Sequence, residues 1–328
     1  MQPDIKAQFN DDILHEVLTR YGIDRESLQS LDGFESFVYS YQHEGVQRVL
    51  RISHSQRRPK EQIQAELEWI RFLFDNGVDV CPAVSSLAGN LLETVGSDEY
   101  FTAVVFQYAP GVSATDEHWK PALFERMGRV LGRMHALTKQ YELQHPNIRR
   151  PEWDEEVEGL AEKFLPPEQS LIVGKCNSVL EQTRQLFKDR YTYGLVHIDF
   201  HRGNFHVDGD KIHLFDFDDA QYSWFADDIA IALFYAIPHD CTSPSDFEFA
   251  NTFMQRFLIG YRSQNDISAE SLSRIPLFLK RRELDLYVAV HRSCDLSDLG
   301  EWGASFMQGR RDKIENDVPY IDMDFSKL

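Results

Sequence analysis

The sequence predicts an α+β fold of two lobes, with a sheet-rich N-lobe over residues 1–108 and a mostly helical C-lobe over residues 109–328. Two observations support this division. β-Branched and aromatic residues are concentrated in short runs within residues 37–53 and 101–106, whereas apolar residues beyond residue 121 recur mainly at helical spacing. A length of 328 residues suits one bilobal unit better than two independent domains.

Residues 37–53 predict a β-hairpin that turns at His43-Glu44-Gly45. Side chains alternate between the two faces of a strand, so Arg51 shares a face with Val49 and lies opposite Leu50 and Ile52. We expect Arg51 to project beside Val49, where an adenine ring and phosphates would lie. An arginine there could neutralise phosphate oxygens and form a bidentate pair with a carboxylate.

Residues 59–76 predict a helix that begins at a proline and ends at Asn76-Gly77. Its apolar residues form one stripe: Ile63, Leu67, Ile70 and Phe74. At about 100° per residue, Glu66 lies near the edge of that stripe and is therefore the glutamate able to meet Arg51. The alternative is that Arg51 is a surface strand residue and Glu66 a solvated helix residue.

Two weaker patterns flank these elements. Residues 31–37 form a turn with a single glycine, Gly33, in which backbone amides near Ser36 could cap a phosphate. Residues 101–106 form a compact apolar strand that gives way to turn residues at 107–111. From the residues alone, that second pattern equally fits an ordinary exit from a strand.

The most informative stretch is residues 195–220, which places three oxygen-bearing side chains in order. Asp199 is followed by Asn204 and, after a predicted turn at residues 207–210, by Asp216. Residues 195–196 and 211–215 predict two short strands joined through that turn. One carboxylate can accept the proton of an attacking hydroxyl, while an amide oxygen and a second carboxylate hold metal ions. This is the set of groups that phosphoryl transfer requires.

These residues resemble the aminoglycoside phosphotransferase and choline kinase-like superfamily, whose members carry His-Gly-Asp-x-His-x-x-Asn and then Ile-Asp-Phe or Ile-Asp-Trp. Here the motifs read His197-Ile198-Asp199-Phe200-His201-Arg202-Gly203-Asn204 and Phe215-Asp216-Phe217. The resemblance implies a protein kinase-like two-lobed fold, ATP or GTP as phosphate donor, and Mg²⁺. Ile198 stands where the family usually has glycine, which removes no reactive group but changes the expected backbone preference.

Position by position, the resemblance implies that Asp199 is the catalytic base and that Asn204 and Asp216 are magnesium ligands. His201, two positions past the base where protein kinases usually place a lysine, is the second catalytic residue that the resemblance implies. Arg51 takes the place of the family's more usual phosphate-binding lysine, and residues 107–109 take that of the hinge that contacts a purine edge. The cofactor-binding residues implied in this way are Arg51, Glu66, Ser36, Gln107 and Ala109.

The C-lobe carries helical patterns with few motifs. Residues 121–138 predict a core-facing helix in which His135 is a packed core residue. Asp228 begins an apolar helix, so a helix cap is the simplest interpretation; the resemblance instead implies that Asp228 supports the catalytic loop. Residues 146–170 form an irregular insertion, and residues 278–292 an amphipathic helix. In the family such segments wall the acceptor pocket.

Three other functions remain as alternatives. The set His197, Asp199, His201, His206 and His213 could bind zinc or iron in a metallohydrolase. The arginine at position 51 and the glycine-poor turn would also suit a regulatory pseudokinase that binds nucleotide without turnover. A Ser/Thr protein kinase is the third, although no Ala-Pro-Glu segment follows Asp216 to anchor a peptide-binding loop.

Composition limits the partners. Asp and Glu number 53 and Lys and Arg 34, a net charge of −19 that argues against an extended nucleic-acid surface and permits a cationic acceptor. An aminoglycoside-, choline- or homoserine-like alcohol would fit as the small-molecule acceptor. The four dispersed cysteines suggest reduced thiols, and no run is apolar enough to span a bilayer. We therefore expect a cytoplasmic protein without a membrane or nucleic-acid partner.

Overall fold

The computed structural model describes residues 3–31, 33, 35–239, 241 and 243–328, excepting the side chains of Pro3 and Asp4. Two compact units are present. The first comprises residues 1–112, 141–150 and 206–218, and the second residues 113–140, 151–205 and 219–328. Each unit consists of three separate stretches of chain, so it does not correspond to a single boundary in the sequence. The expected lobe boundary at residue 108 therefore stays a prediction.

The first unit is built on a six-stranded sheet. Its strands are β1 (Gln29–Leu31), β2 (Phe37–His43), β3 (Val46–His54), β4 (Ala83–Val84), β5 (Glu93–Gly96) and β6 (Tyr100–Gln107). The order is β1-β2-β3-β6-β4, with β5 also paired to β6, and every pairing is antiparallel. The helices of this unit are α1 (Pro3–Gln8), α2 (Asp11–Tyr21) and α3 (Lys60–Asp75).

The hairpin predicted from residues 37–53 is confirmed as β2 and β3. Glu44 and Gly45 form its two-residue turn with φ of 51° and 77°, the pair of positive φ values that a type I′ turn requires. Leu50 and Ile52 are fully buried in an apolar cluster with residues of α2 and β6. Since side chains alternate along β3, Arg51 lies on the opposite face.

Helix α3 is confirmed, but its buried face is wider than the predicted stripe. Phe74 is 41% exposed, which makes its assignment to the buried stripe wrong, while Trp69 and Leu73 are fully buried. Trp69 and Leu73 move the centre of the buried face toward Glu66, which is itself fully buried. The helix ends, as predicted, at Asn76, followed by Gly77 with φ of 81°.

Five short strands follow: β7 (Val112–Ser113), β8 (Tyr193–Val196), β9 (Phe205–Asp208), β10 (Lys211–Leu214) and β11 (Gln221–Trp224). The predicted pairing of residues 195–196 with 211–215 is wrong. β10 pairs with β9 across a turn at residues 209–210, and β8 pairs with β11. The residues of β9 are themselves extended and supply the nearest partner for β10, so β8 pairs beyond the motif instead.

The second unit is mostly helical. Its helices are α4 (Pro121–Thr138), α5 (Leu160–Phe164), α6 (Ser170–Arg184), α7 (Phe225–Ala236), α8 (Pro244–Arg262), α9 (Ala269–Leu272), α10 (Ile275–Ser293), α11 (Gly300–Met307) and α12 (Arg310–Glu315). α4 and α8 approach most closely through glycines. A Cβ at Gly128 would overlap the carbonyl oxygen of Phe257, and one at Gly260 that of Glu125. Among the described residues, no helix combines the length and apolar character needed to cross a membrane.

Candidate active site

The loop after β8 presents Asp199 with its carboxylate already hydrogen-bonded. The side-chain amide of Asn204 donates to Asp199 Oδ2 at 2.8 Å and to the Asp199 carbonyl oxygen at 2.9 Å. His201 Nε2 lies 3.2 Å from Oδ2, and the Gly203 N–H donates to His201 Nδ1 at 2.9 Å. The imidazole therefore carries its proton on Nε2, facing Asp199. Three predicted residues, Asp199, His201 and Asn204, thus lie together.

A fourth group was not predicted. Arg282 of α10 donates from Nη2 to Asp199 Oδ1 at 2.9 Å and to the Tyr235 hydroxyl at 2.6 Å. Burial by itself would raise the pKa of Asp199, but the hydrogen bond and charge of His201, together with the charge of Arg282, outweigh it and lower that pKa. Asp199 is consequently ionised at neutral pH and available as a hydrogen-bond acceptor.

The backbone next to Asp199 is held in an unusual conformation. Ile198 has φ of 62°, in the left-handed region that favours glycine. Asp228 of α7 accepts the His197 N–H at Oδ2 (3.0 Å) and the Ile198 N–H at Oδ1 (2.8 Å). The interpretation of Asp228 as a helix cap is therefore wrong, and its predicted support of the loop that carries Asp199 is confirmed.

Asp228 is in turn held by a hydrogen-bonded chain within the second unit. Its Oδ2 is 3.0 Å from His135 Nε2, and His135 Nδ1 is 2.8 Å from the Tyr261 hydroxyl. The Asn265 amide donates to the same hydroxyl at 2.8 Å. Burial lowers the pKa of His135, against the hydrogen bond and charge of Asp228, which raise it. Neutral His135 donates from Nε2 and accepts at Nδ1, so the prediction of a packed core histidine is confirmed.

In the first unit, Arg51 and Glu66 form the predicted pair. Arg51 donates from Nη1 to Oε1 at 2.9 Å and from Nη2 to Oε2 at 2.7 Å, a bidentate arrangement. Their side chains are 7% and 0% exposed, so the surface alternative is wrong. Burial would lower the pKa of Arg51, but the charges of Glu66 and Asp218 more than compensate and raise it. The guanidinium carbon also lies 5.1 Å from the Phe106 ring centroid.

The segment after β10 is held by arginines of the same unit. Asp216 has φ of 60° and an exposed side chain, whereas Phe217 is buried against Trp69 with ring centroids 5.4 Å apart. The Asp218 carbonyl oxygen accepts hydrogen bonds from Arg58 Nε at 3.0 Å and from Arg150. The Asp218 carboxylate lies near three arginines: Arg51 (3.7 Å), Arg57 (3.4 Å) and Arg58 (3.7 Å).

The remaining predicted residues, Ser36, Gln107 and Ala109, lie in the first unit, and some of their backbone groups are already hydrogen-bonded. Ser36 Oγ is 2.9 Å from Ser53 Oγ, and a Cβ at Gly33 would overlap the Ser36 carbonyl oxygen, so this turn needs glycine. Two residues of the turn, Asp32 and Phe34, lie outside the described part of the chain. The Gln107 N–H donates to the Pro82 carbonyl at 3.0 Å, and His206 Nδ1 donates to the Ala109 carbonyl at 2.9 Å. The hinge assignment stays a prediction.

The chemistry of the proposed metal ligands fits magnesium. Because the Asn204 amide nitrogen donates twice to Asp199, its oxygen is the atom left to coordinate a cation, and Asp216 offers an exposed carboxylate. Oxygen ligands of this kind suit Mg²⁺. Among the residues that the structure describes, no group of three or more His, Cys, Asp or Glu is arranged to hold a metal. The zinc or iron centre of a metallohydrolase therefore gains no support.

The chain is similar to known phosphotransferases. Residues 28–266 match the sequence model of the phosphotransferase enzyme family. An amicoumacin kinase of Bacillus subtilis (strain 168) is 36% identical over 329 residues, covering 99% of this chain and 98% of that protein. The match therefore spans nearly the whole of both chains.

Solved structures give the same result for the fold. The amicoumacin kinase hAmiN, in complex with AMP-PNP, Ca²⁺ and Ami, has a TM-score of 0.91 at 34% identity, with 100% of each chain covered. A microcompartment-associated aminopropanol kinase has a TM-score of 0.76 at 21% identity, covering 94% of this chain and 98% of its own. The predicted protein kinase-like α+β fold is confirmed.

Proposed function

Because the chain belongs to the phosphotransferase enzyme family and is a small-molecule kinase, we propose that it transfers the γ-phosphate of ATP or GTP to a hydroxyl group in a Mg²⁺-dependent reaction. The observation that carries this proposal is the set of contacts around Asp199. An ionised carboxylate is held by Asn204, His201 and an arginine on a loop whose backbone is fixed by Asp228.

In this proposal Asp199 binds the acceptor hydroxyl and takes its proton as the phosphoryl group arrives. The low pKa of Asp199 makes it a weak base, so we attribute most of the acceleration to orientation of the hydroxyl and to charge neutralisation. His201 keeps one oxygen of the carboxylate in place through its Nε2 proton. The rigid loop is what allows such orientation.

The first unit supplies the donor contacts in this proposal. Arg51, fixed in one orientation by Glu66, would bind the α- and β-phosphates, and backbone amides near Ser36 would cap a phosphate. The carbonyl of Gln107 and the N–H of Ala109 would pair with the purine edge. Asn204 and Asp216 would hold Mg²⁺, which neutralises the phosphate oxygens when bound.

For the acceptor, we propose a small amine-bearing alcohol. The full-length similarity to an amicoumacin kinase makes amicoumacin the first compound to test. The fold is shared with an aminopropanol kinase, so amino alcohols follow, together with aminoglycosides, choline-like alcohols and homoserine. The net charge of −19 favours a cation over an anion.

The test measures phosphate transfer from ATP and GTP to this panel with Mg²⁺ and with the metal chelated. Transfer should require metal, and Asp199→Asn should abolish transfer while nucleotide binding persists. Asp216→Ala should shift the magnesium titration of nucleotide binding to higher concentrations. Near-normal turnover by Asp199→Asn would refute the assignment of the base, and an unchanged titration would refute the metal role of Asp216.

The same experiment separates the alternatives. A pseudokinase, suggested by Arg51 and the glycine-poor turn, predicts saturable nucleotide binding without transfer to any acceptor. A protein kinase predicts transfer to peptide hydroxyls and none to small alcohols. Location in the cytoplasm, expected from the dispersed cysteines, stays part of the proposal; no disulfide joins any of Cys81, Cys176, Cys241 and Cys294.

A further inference from the structure

Arg282 lies against Asp199 although it belongs to neither motif of the catalytic loop. Its guanidinium donates to Asp199 Oδ1 at 2.9 Å and to the Tyr235 hydroxyl at 2.6 Å, and its side chain is 16% exposed. The guanidinium carbon is 5.3 Å from the Tyr235 ring centroid. An arginine bound to a carboxylate, a phenol and an aromatic face is fixed in one orientation.

The two carboxylate oxygens of Asp199 have different numbers of hydrogen-bond donors. Oδ2 accepts from the Asn204 amide at 2.8 Å and lies 3.2 Å from His201 Nε2, whereas among the described residues Oδ1 accepts from Arg282 alone. A carboxylate oxygen can accept two hydrogen bonds. An acceptor hydroxyl that gives its proton to Asp199 would therefore bind at Oδ1, the oxygen that Arg282 also contacts.

Building on the phosphotransferase reaction proposed above, we infer that Arg282 is a further catalytic residue, which contacts the phosphoryl group during its transfer. Two donors that share one acceptor oxygen, each at about 2.7–3.0 Å, lie roughly 3–5 Å apart. The attacking hydroxyl oxygen, and the phosphoryl group to which it bonds, are thus within reach of the Arg282 guanidinium.

The change of charge on Asp199 during the reaction strengthens the attraction between Arg282 and the transferred phosphoryl group. The acceptor hydroxyl passes its proton to Asp199 Oδ1, and its oxygen forms a bond to the γ-phosphorus. The bond from that phosphorus to the bridging oxygen breaks, and its electrons leave with the nucleoside diphosphate. Protonated Asp199 is neutral, so Arg282 loses its anionic partner as the new phosphate ester forms beside it. Attraction that grows during the reaction lowers the barrier.

The test compares Arg282→Ala, Arg282→Lys and Tyr235→Phe with the control Arg274→Ala, which removes an exposed arginine at the start of the same helix. Arg282→Ala should lower kcat by about 10²–10³-fold, the usual effect of losing one such donor, with little change in either KM. Arg282→Lys should retain part of the activity, Tyr235→Phe should lose less than Arg282→Ala, and Arg274→Ala should match the wild type.

Two readouts separate catalysis from a structural role. Guanidinium ion, at concentrations that do not denature the protein, should partly restore kcat of Arg282→Ala. The wild type should bind ADP with tetrafluoroaluminate, a mimic of the phosphoryl group in transfer, more tightly than ADP; Arg282→Ala should keep its affinity for ADP and lose this increment. An unchanged increment, a kcat near that of the wild type, or a loss confined to the acceptor KM would each overturn the inference.

Failure of the proposed function would look different. A wild-type chain that binds no nucleotide, or transfers phosphate to no acceptor, would overturn the proposed reaction and this inference with it. A wild type that transfers phosphate while Arg282→Ala transfers it equally well would overturn the role of Arg282 and leave the proposed function standing.

Discussion

At Ile198 the backbone favours glycine, yet the side chain is buried. Ile198 is 4% exposed and packs in an apolar cluster with Val196, Phe225 and Ile231. A left-handed conformation costs an L-residue about 1–2 kcal/mol, whereas truncation of a buried isoleucine to alanine costs about 2–5 kcal/mol. Burial therefore outweighs strain, which explains how this chain accommodates isoleucine at a position that is usually glycine.

Two truncations of Ile198 separate these terms. Ile198→Ala loses the buried side chain and keeps the strain, while Ile198→Gly loses both. We predict that the glycine variant is the more stable of the two by about 1 kcal/mol, the reverse of the usual order. Urea unfolding measures the difference. The same pair at the buried helical residue Ile229 serves as control, and there alanine should be the better residue; the same order at both positions would contradict the prediction.

Asp285 on α10 is a half-buried carboxylate whose pKa is shifted. Burial, with a contribution from Asp227, raises its pKa to about 6, against the charges of Arg281 and Arg282. The native state therefore binds a proton that the unfolded state releases near pH 4. This contribution to stability is complete below about pH 4 and is lost as pH rises through about 6.

Asp285→Asn should remove that dependence. We predict that its stability relative to the wild type rises by about 2 kcal/mol between pH 4 and pH 7, since each unit of pKa shift corresponds to about 1.4 kcal/mol and the side chain is 28% exposed. Urea unfolding of both proteins at the two pH values measures the change. A difference that stays constant with pH would show that Asp285 titrates normally.

At the scale of elements, the contact of α4 with α8 depends on glycine for close approach. Gly260→Ala would place a Cβ against the carbonyl oxygen of Glu125, whereas Gly174 in α6 faces open space. We predict that Gly260→Ala destabilises the protein by about 2–3 kcal/mol through overpacking, and that Gly174→Ala stabilises it by about 0.5–1 kcal/mol through helix propensity. Thermal unfolding of both variants tests the pair, and equal effects would refute the packing argument.

Local elements were predictable from the sequence because their signals are local. The β2–β3 hairpin and α3 follow from residue alternation, turn residues and helical spacing, and the meeting of Arg51 with Glu66 follows from the faces they occupy. The partner of β8 was not predictable in this way. That partner, β11, lies beyond the motif that contains Asp199. The residues of β9, between the two predicted strands, were interpreted as part of a loop and turn.

The missed site residues share one property. A sequence pattern predicts that arginines such as Arg58, Arg150 and Arg282 are exposed to solvent. In the structure they are buried or mostly buried against polar groups that are distant in sequence. The sequence analysis assigned a role to Asp216 and none to Asp218, two residues further along, although three arginines lie near the Asp218 carboxylate. Only tertiary packing identifies the partners of such residues, since no periodicity distinguishes a buried ion pair from a surface charge.

At the scale of the whole molecule, the net charge of −19 has a kinetic consequence for the proposed reaction. A negative protein attracts a cationic acceptor at long range, and salt screens that attraction over about 10 Å at 0.1 M. We predict that kcat/KM for a cationic acceptor falls several-fold as ionic strength rises, and that kcat/KM for an uncharged alcohol stays nearly constant. Initial rates with both acceptors across a salt series measure this, and parallel curves would argue against electrostatic steering.

The hydrogen-bonded chain from Asn265 through Tyr261 and His135 to Asp228 tolerates only one arrangement of protons. Each link donates in the same direction, and the last carboxylate also accepts two backbone N–H groups. An additional proton on His135 would turn Nδ1 from an acceptor into a donor, so that the Tyr261 hydroxyl could no longer donate to it. Structures determined from acidic and from neutral crystals should therefore differ at residues 197–199, the loop that Asp228 holds. Storage at low pH should lower the activity before it unfolds the protein.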